Sequence, residues 1–332
     1  MGLGASTRWP WPAGTAALGV SLILLVMSCA GAGTPAGPAP IRLAPVELNP
    51  HRPDRTEVDR LHFQSGFALS APDERFGGFS GLWLSDDGAT MIAASDGGFL
   101  WELALEHDAD GRLVGVRPVR VVVPAGLDGD PTFRLDQNVE ALAEVSSPDQ
   151  LVLAYEGTHR VRGFPVGDLE AVPTAWPRPQ ALEERSNHGI EGLASLGDGR
   201  LVALIEGGTK GENGWIIDRA DGARAFAYAP AFGFEPTGAA RHGEHLWILE
   251  RRFSWVGGFQ SRIARVPLAD IREGARIEGE EIAHLRPPLT TENLEAIAVR
   301  QDAAGRTVLY LLSDDNFNVL QRTLLLQFTL IE

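Results

Sequence analysis

Five times along this 332-residue chain a short motif of small residues with an acid or hydroxyl opens an apolar stretch. This internal repeat constrains the fold more than any other feature. The copies are Phe79-Ser80-Gly81-Leu82-Trp83, Val139-Glu140-Ala141-Leu142-Ala143, Ile190-Glu191-Gly192-Leu193-Ala194, Pro236-Thr237-Gly238-Ala239-Ala240 and Leu294-Glu295-Ala296-Ile297-Ala298. Their second residues, Ser80, Glu140, Glu191, Thr237 and Glu295, are 60, 51, 46 and 58 residues apart. A turn follows each copy, with Gly or Asp in most: Asp86-Asp87-Gly88, Ser147-Pro148-Asp149, Gly197-Asp198-Gly199, Arg241-His242-Gly243 and Asp302-Ala303-Ala304-Gly305. Second strands are expected at 90–95, 151–155, 201–205, 245–249 and 308–313. Each runs into an acid: Asp96, Glu156, Glu206, Glu250 and Asp314. Third strands are expected at 100–105, 161–166, 215–219, 263–268 and 324–330, and fourth strands at 116–123, 224–228 and 278–285.

Strand meanders at this period, with no amphipathic helices between them, define an all-β chain of the β-propeller type. Five blades are expected; an irregular sixth could lie in the long connections. A β-sandwich pair is the competing architecture, and it does not explain five copies of one marker. The last copy lacks a fourth strand, and Leu61–Ser70 can supply it, closing the ring with strands from both ends and leaving no open edge.

The N-terminus has a different composition. A short apolar run, Leu18 to Val26, precedes Cys29, the chain's one cysteine, and a stretch rich in Gly, Ala and Pro follows. The run is too short to span a bilayer and reads as a processing signal. Val26-Met27-Ser28-Cys29 resembles a lipobox. The expected division is a lipoprotein signal peptide over 1–28, a Pro/Gly-rich tether over 29–60 beginning at lipidated Cys29, and the propeller over 61–332. With Ala30 after the cysteine, the expected location is the bacterial envelope, at the periplasmic face of the outer membrane. No cysteine then remains for a disulfide, so the core alone must hold the domain. A formal charge of −15 with no basic run excludes nucleic acid as a partner, and a monomer is expected.

In a blade the first strand runs along the central channel and the second returns beside it. The start of one and the end of the other share a face. Glu140, Glu191 and Glu295 are therefore expected at one channel opening with Asp96, Glu156, Glu206, Glu250 and Asp314. Carboxylates at that density repel unless a cation sits among them, and hard oxygen ligands suit Ca²⁺ better than Zn²⁺. The candidate metal residues are Asp96, Glu140, Glu156, Glu191, Glu206, Glu295 and Asp314. Equally open is a structural role, in which the inner-strand Glu residues clasp neighbouring blades through backbone N–H groups.

Basic and polar groups follow these acids: Thr158, His159, Arg160 and Arg162; Lys210; Arg251 and Arg252; Asn316 and Asn318. His159, Arg160, Lys210 and Arg251 are the candidate substrate-binding residues for a small anion, or they neutralise the acids in weak surface pairs. His188 is the candidate acid/base group by position. Ser80 reads as the first copy's marker, since the Gly-x-Ser-x-Gly spacing of a nucleophile elbow is absent. There is no Walker loop, His-Glu-x-x-His or dinucleotide fingerprint.

Phe76-Gly77-Gly78-Phe79-Ser80-Gly81-Leu82, Ser95-Asp96-Gly97-Gly98, Asn138-Val139-Glu140-Ala141-Leu142, Gly189-Ile190-Glu191-Gly192-Leu193, Glu292-Asn293-Leu294-Glu295-Ala296 and Leu312-Ser313-Asp314-Asp315-Asn316-Phe317 together resemble the bacterial phytase-like family, also called the esterase-like activity of phytase family. The resemblance implies a secreted or envelope-bound propeller with phosphoester or ester hydrolysis and Ca²⁺ dependence. The alternatives are a non-catalytic binding propeller and a calcium-dependent lactonase-like hydrolase.

Overall fold

The second strand of every repeat is apolar at successive positions, a pattern that needs cover on both faces. In the computed structural model Leu201, Ala203 and Ile205 face the blade before, while Val202 and Leu204 face the blade after. Leu309 and Leu311 likewise point one way, and Val308, Tyr310 and Leu312 the other. The structure describes residues 37–126, 138–146, 149–157, 159–180, 182, 189–207 and 213–331. Cys29, Thr158, His188 and Lys210 lie outside them.

Five antiparallel meanders make five blades. Blade 1 comprises Phe79–Leu84, Thr90–Ser95, Leu100–His107 and Leu113–Val122. Blade 2 comprises Val139–Ser146, Asp149–Tyr155, Arg160–Pro165 and Thr174–Trp176. In blade 3 these are Ile190–Ser195, Leu201–Ile205, Gly214–Asp218 and Gly222–Ala229. Blade 4 has Glu235–His242, His245–Ser254, Gly258–Pro267 and Glu280–Leu285. Blade 5 has Leu294–Gln301, Thr307–Ser313, Thr323–Leu330 and, from the other end of the chain, Leu61–Ser70. The last pairing runs from Thr323↔Leu69 to Leu330↔Leu61, which closes the ring as the repeat demanded.

Each inner strand packs on the inner strands of both neighbours, so the five form a closed ring. Between each pair of blades lies one apolar cluster, five in all. Blades 3 and 4 are also strapped at their outer edges, where Arg276–Glu278 runs parallel to Ala227–Ala229.

The expected tether is shorter than residues 29–60. Arg42–Pro45 adds a further strand outside Leu61–Ser70, with Arg42 opposite Ser70 and Pro45 opposite Phe67. Leu48 and Val58 are buried in the cluster between blades 4 and 5. Thr290 donates from its backbone N–H to the Leu48 carbonyl and from its hydroxyl to the Glu47 carbonyl. A segment whose composition reads as linker is thus held as part of blade 5.

Candidate functional site: an acidic channel mouth

Every inner strand carries a β-bulge near its start. Pairing skips from Phe79 to Gly81, from Val139 to Ala141, from Ile190 to Gly192, from Pro236 to Gly238 and from Leu294 to Ala296. The skipped residues are the five markers. A bulge frees its extra residue from the ladder and re-aims its side chain. Ser80 and Thr237 use that freedom to clasp the next blade, donating to the carbonyls of Val139 (2.6 Å) and Leu294 (3.3 Å). The clasping role expected for the acids is thus played by the two hydroxyl markers.

The register also corrects the repeat alignment. The residues opposite the bulges are Ser95, Tyr155, Ile205, Glu250 and Ser313. The next position on each second strand holds Asp96, Glu156, Glu206, Arg251 and Asp314. Glu250 therefore stands one residue early, and a shift of one along a strand turns a side chain to the other face. It is fully buried, receives hydrogen bonds from the Tyr228 hydroxyl and the Ala231 N–H, and pairs with Arg262 at 2.7 Å. It ties blade 4 to blade 3 and has no part in the mouth. Arg251 takes the acid's place there and pairs with Glu295 at 2.5 Å.

The remaining acids converge. In blades 1, 2 and 5 the backbone N–H of the second-strand acid binds the carbonyl two residues before the marker: Asp96 to Gly78, Glu156 to Asn138 and Asp314 to Asn293. Gly78, at φ +60°, cannot carry a side chain, because a Cβ there would lie 2.0 Å from Asp96 Oδ1. A Cβ on Gly189 would lie 3.3 Å from Glu191 Oε1, 3.3 Å from Glu156 Cγ and 3.6 Å from Glu140 Cγ, so three acids surround that backbone.

Asn293, buried, donates to Glu295 at 2.7 Å and to Asp314 at 3.4 Å, and it accepts from Arg251. Asn138 donates to Glu156 at 2.7 Å. These two asparagines were not singled out as site residues, although each stands two positions before a marker Glu. The side chains of Glu140 and Glu191 make no hydrogen bond among the described residues, and Asp96 Oδ1 is buried without a partner.

Burial, then the charges of Asp314 and Glu295, pushes Asp96 up to about 7. Burial raises Glu295 to about 7 against the pull of Arg251, and Asp314 to about 6. Glu140 and Glu191 are raised further, first by burial and then by their acidic neighbours, among them Glu156 and Glu206. Low polarity and mutual repulsion act in the same direction.

The expected substrate residues are less concentrated. Arg160 opens the third strand of blade 2 with its guanidinium 5.4 Å over the Tyr155 ring. His159 precedes it, buried and in the left-handed region at φ +47°. Arg251, expected to face substrate, is held inside the acid ring. His188 and Lys210 lie outside the described residues.

Below the acids a cavity of about 10 Å³, roughly the room of one water, lies among Leu82, Leu142, Leu193, Ala239 and Ile297, with Ser80 and Glu191 also lining it. The mouth is therefore a cup with an apolar floor. At the other end a separate cavity of about 300 Å³ is rimmed by Trp83, Asp86, Glu144 and Arg241.

Asp and Glu oxygens are the donors a hard divalent cation takes, and Asp96 Oδ1, buried without a partner, and the raised carboxyls are groups a cation would favour in charged form. The set fits Ca²⁺ in donor type and charge. Among the described residues no three His, Cys, Asp or Glu side chains are already drawn together as ligands, so binding would require them to turn toward one another.

A five-bladed β-propeller with an acidic cup at one channel mouth defines the class of this protein. The family model named Phytase-like, described as esterase-like activity of phytase, matches residues 74–317, and the chain belongs to that family. No curated protein matches the sequence significantly. Solved structures with a similar course include the tail fibre of Staphylococcus aureus phage P68 (12% identity, 82% of this chain and 53% of that one, TM-score 0.43). Others are the β-propeller domain of Myceliophteria thermophila Cps50 (Swd1) (13%, 86% and 98%, 0.39) and Kuenenia stuttgartiensis hydrazine synthase (13%, 73% and 57%, 0.36). The chain spans just over half the length of the phage and hydrazine synthase chains. Likenesses this remote say nothing of what this chain does.

Proposed function

We propose that the acidic cup hydrolyses phosphate or carboxylic esters with the help of a bound Ca²⁺. The observation that carries this reading is the convergence of Asp96, Glu140, Glu191, Glu295 and Asp314 in one cup, where burial and mutual repulsion raise all five carboxyls. Glu140, Glu156 and Glu191, gathered about Gly189, would hold the cation, with Glu206 beside them. The cation would supply Lewis-acid polarisation of the ester and lower the pKa of a water. Asp96, whose carboxyl is raised to about 7, would take a proton from an attacking water as the water oxygen adds to the carbonyl carbon or phosphorus. The ester bond then breaks, and the departing alkoxide takes that proton back from Asp96 and leaves as the alcohol. Arg251 and Asn293 hold Glu295 and Asp314 in place around the attack. Arg160 at the cup's edge would meet an anionic substrate.

The test is a panel of aryl esters and aryl phosphates, assayed on purified protein after chelation and again after Ca²⁺ is restored. Activity that returns with Ca²⁺ and falls about 100-fold or more in Asp96→Asn supports the reading. Activity indifferent to both contradicts it.

In the same reading the chain is an envelope lipoprotein held through Cys29. Cys29→Ser should move it from the membrane to the soluble fraction, and unchanged membrane retention would contradict the anchor.

A further inference from the structure

The face that carries the acidic cup also carries the most exposed apolar side chains. Second strands end on this face and fourth strands return to it, so the loops after Ala229, Ser254 and Ser313 all rise beside the cup. They present Phe232 (98% exposed), Trp255 (95%), Val256, Val319 (98%) and Leu320. Among the described residues these five include every large apolar side chain more than four-fifths exposed. Single exposed apolar residues are ordinary on any protein. Their confinement to three loop tips on one face is not.

The loop of blade 4 is built to project. Its two strands, His245–Ser254 and Gly258–Pro267, stay paired as far as Ser254↔Gly258, three residues beyond Arg251 at the edge of the cup. At about 3.3 Å per residue the ribbon stands on the order of 10 Å above it. Phe253 packs edge-on to Trp255 and against Phe259, so the tip is preformed.

A second observation concerns the chain's course. Arg42 pairs with Ser70, and Ser70 ends a strand that runs toward the cup. The polypeptide thus joins blade 5 on the acidic face. Ahead of Arg42, in the lipoprotein reading proposed above, only the 13 residues 29–41 separate the domain from a lipid on Cys29. The face where the chain joins the domain and the face with the apolar tips are one.

We propose that this face docks on a lipid bilayer, with Phe232, Trp255, Val256, Val319 and Leu320 entering the headgroup and upper acyl region. The apolar tips come from separate loops with the acid cup among them. A protein partner would have to bury those charges, whereas a hydrated headgroup layer leaves them wet. Trp at such a tip suits the interface, apolar ring inward and indole N–H toward water. Charge selects the lipid: the acidic cup, on a chain of formal charge −15, is repelled by an anionic surface and fits a zwitterionic one. The inference extends the membrane placement proposed above and, if correct, points the cup at substrates carried in or on the bilayer.

The experiment uses the full mature chain with phosphatidylcholine vesicles brominated in the upper acyl chain. Trp255→Phe, which keeps an apolar ring at a fully exposed site, is the comparison. Flotation reads attachment, and bromine quenching of Trp fluorescence reads docking. The expected result is a blue-shifted, quenched component in the native chain that Trp255→Phe lacks and that weakens as anionic lipid is added. Equal quenching of the two proteins overturns docking, with the anchor intact if both float and with both ideas lost if neither does. A photocrosslinker at position 255 that captures a protein, in membranes where the quenching difference is absent, assigns the face to that partner and also overturns the proposal.

Discussion

At the scale of single residues, the acidic cup works through small displacements. Glu295 stays near neutrality because Arg251 and Asn293 oppose its burial. Arg251→Met should raise the Glu295 pKa above 7 and lower the melting temperature at pH 8, read by Tm and by carbonyl-region NMR titration; an unchanged titration would show the pair to be idle. Gly78→Ala should be as disruptive as a core change, because the new methyl would meet the Asp96 carboxylate at a backbone angle that favours glycine. The residue types of the cup were legible in the chain: Asp96, Glu140, Glu156, Glu191, Glu206, Glu295 and Asp314 all take the place the repeat assigns them. Glu250 was misassigned because Glu-Arg at a strand end reads as another acid. Only the bulge between Pro236 and Gly238 reveals that Arg251 holds the equivalent position.

At the scale of elements, second and third strands emerged from sequence because both their faces are buried, which leaves unbroken apolar runs. Two elements were hidden. Thr174–Trp176 is too short to show alternation. Arg42–Pro45 has a linker's composition yet closes an edge, because an outermost strand exposes most of its side chains while its backbone pairs. Deleting residues 42–58 should therefore remove Leu48 and Val58 from the core, uncover the edge of Leu61–Ser70 and cause aggregation or a broad melt. A sharp melt at the native temperature would mean that these residues only rest on the surface. Glu250 gives a sharper test of inter-blade ties. Glu250→Gln should cost about 2 kcal/mol, since it weakens the charged hydrogen bond from Arg262, which keeps its pair with Glu281 at 2.6 Å. Tyr228→Phe, which removes one donor, should cost about 1–2 kcal/mol. Urea titration with constant m-value would read both.

At the scale of the whole molecule, the five blades concentrate carboxyl groups at one opening and so set how stability varies with pH. Asp96 and Asp314 rise from 3.8 to about 7 and about 6, and Glu295 from 4.5 to about 7. Each keeps its proton in the folded chain at pH values where the unfolded chain has lost it. The folded state binds more protons, so these groups make stability fall as pH rises from about 4 to about 7. Metal-free protein should therefore lose melting temperature across that interval, and a Tm that climbs through it would contradict the acidic cup. Ca²⁺ should oppose the loss by holding the acids in their charged form.

The most direct measurement follows: melting at pH 7.5 of chelator-treated protein, with and without excess Ca²⁺, for the native chain and for Glu191→Gln. If the cup binds a cation in the folded state alone, Tm rises with Ca²⁺ concentration in the native chain, by an amount set by the ratio of free ion to dissociation constant. The rise should shrink in Glu191→Gln, while the variant's metal-free Tm equals or exceeds the native one because the cost of keeping Glu191 protonated in the folded state is gone. Identical melting with and without Ca²⁺ in the native chain would contradict the cation site and leave the acids of the cup as groups that hold protons instead.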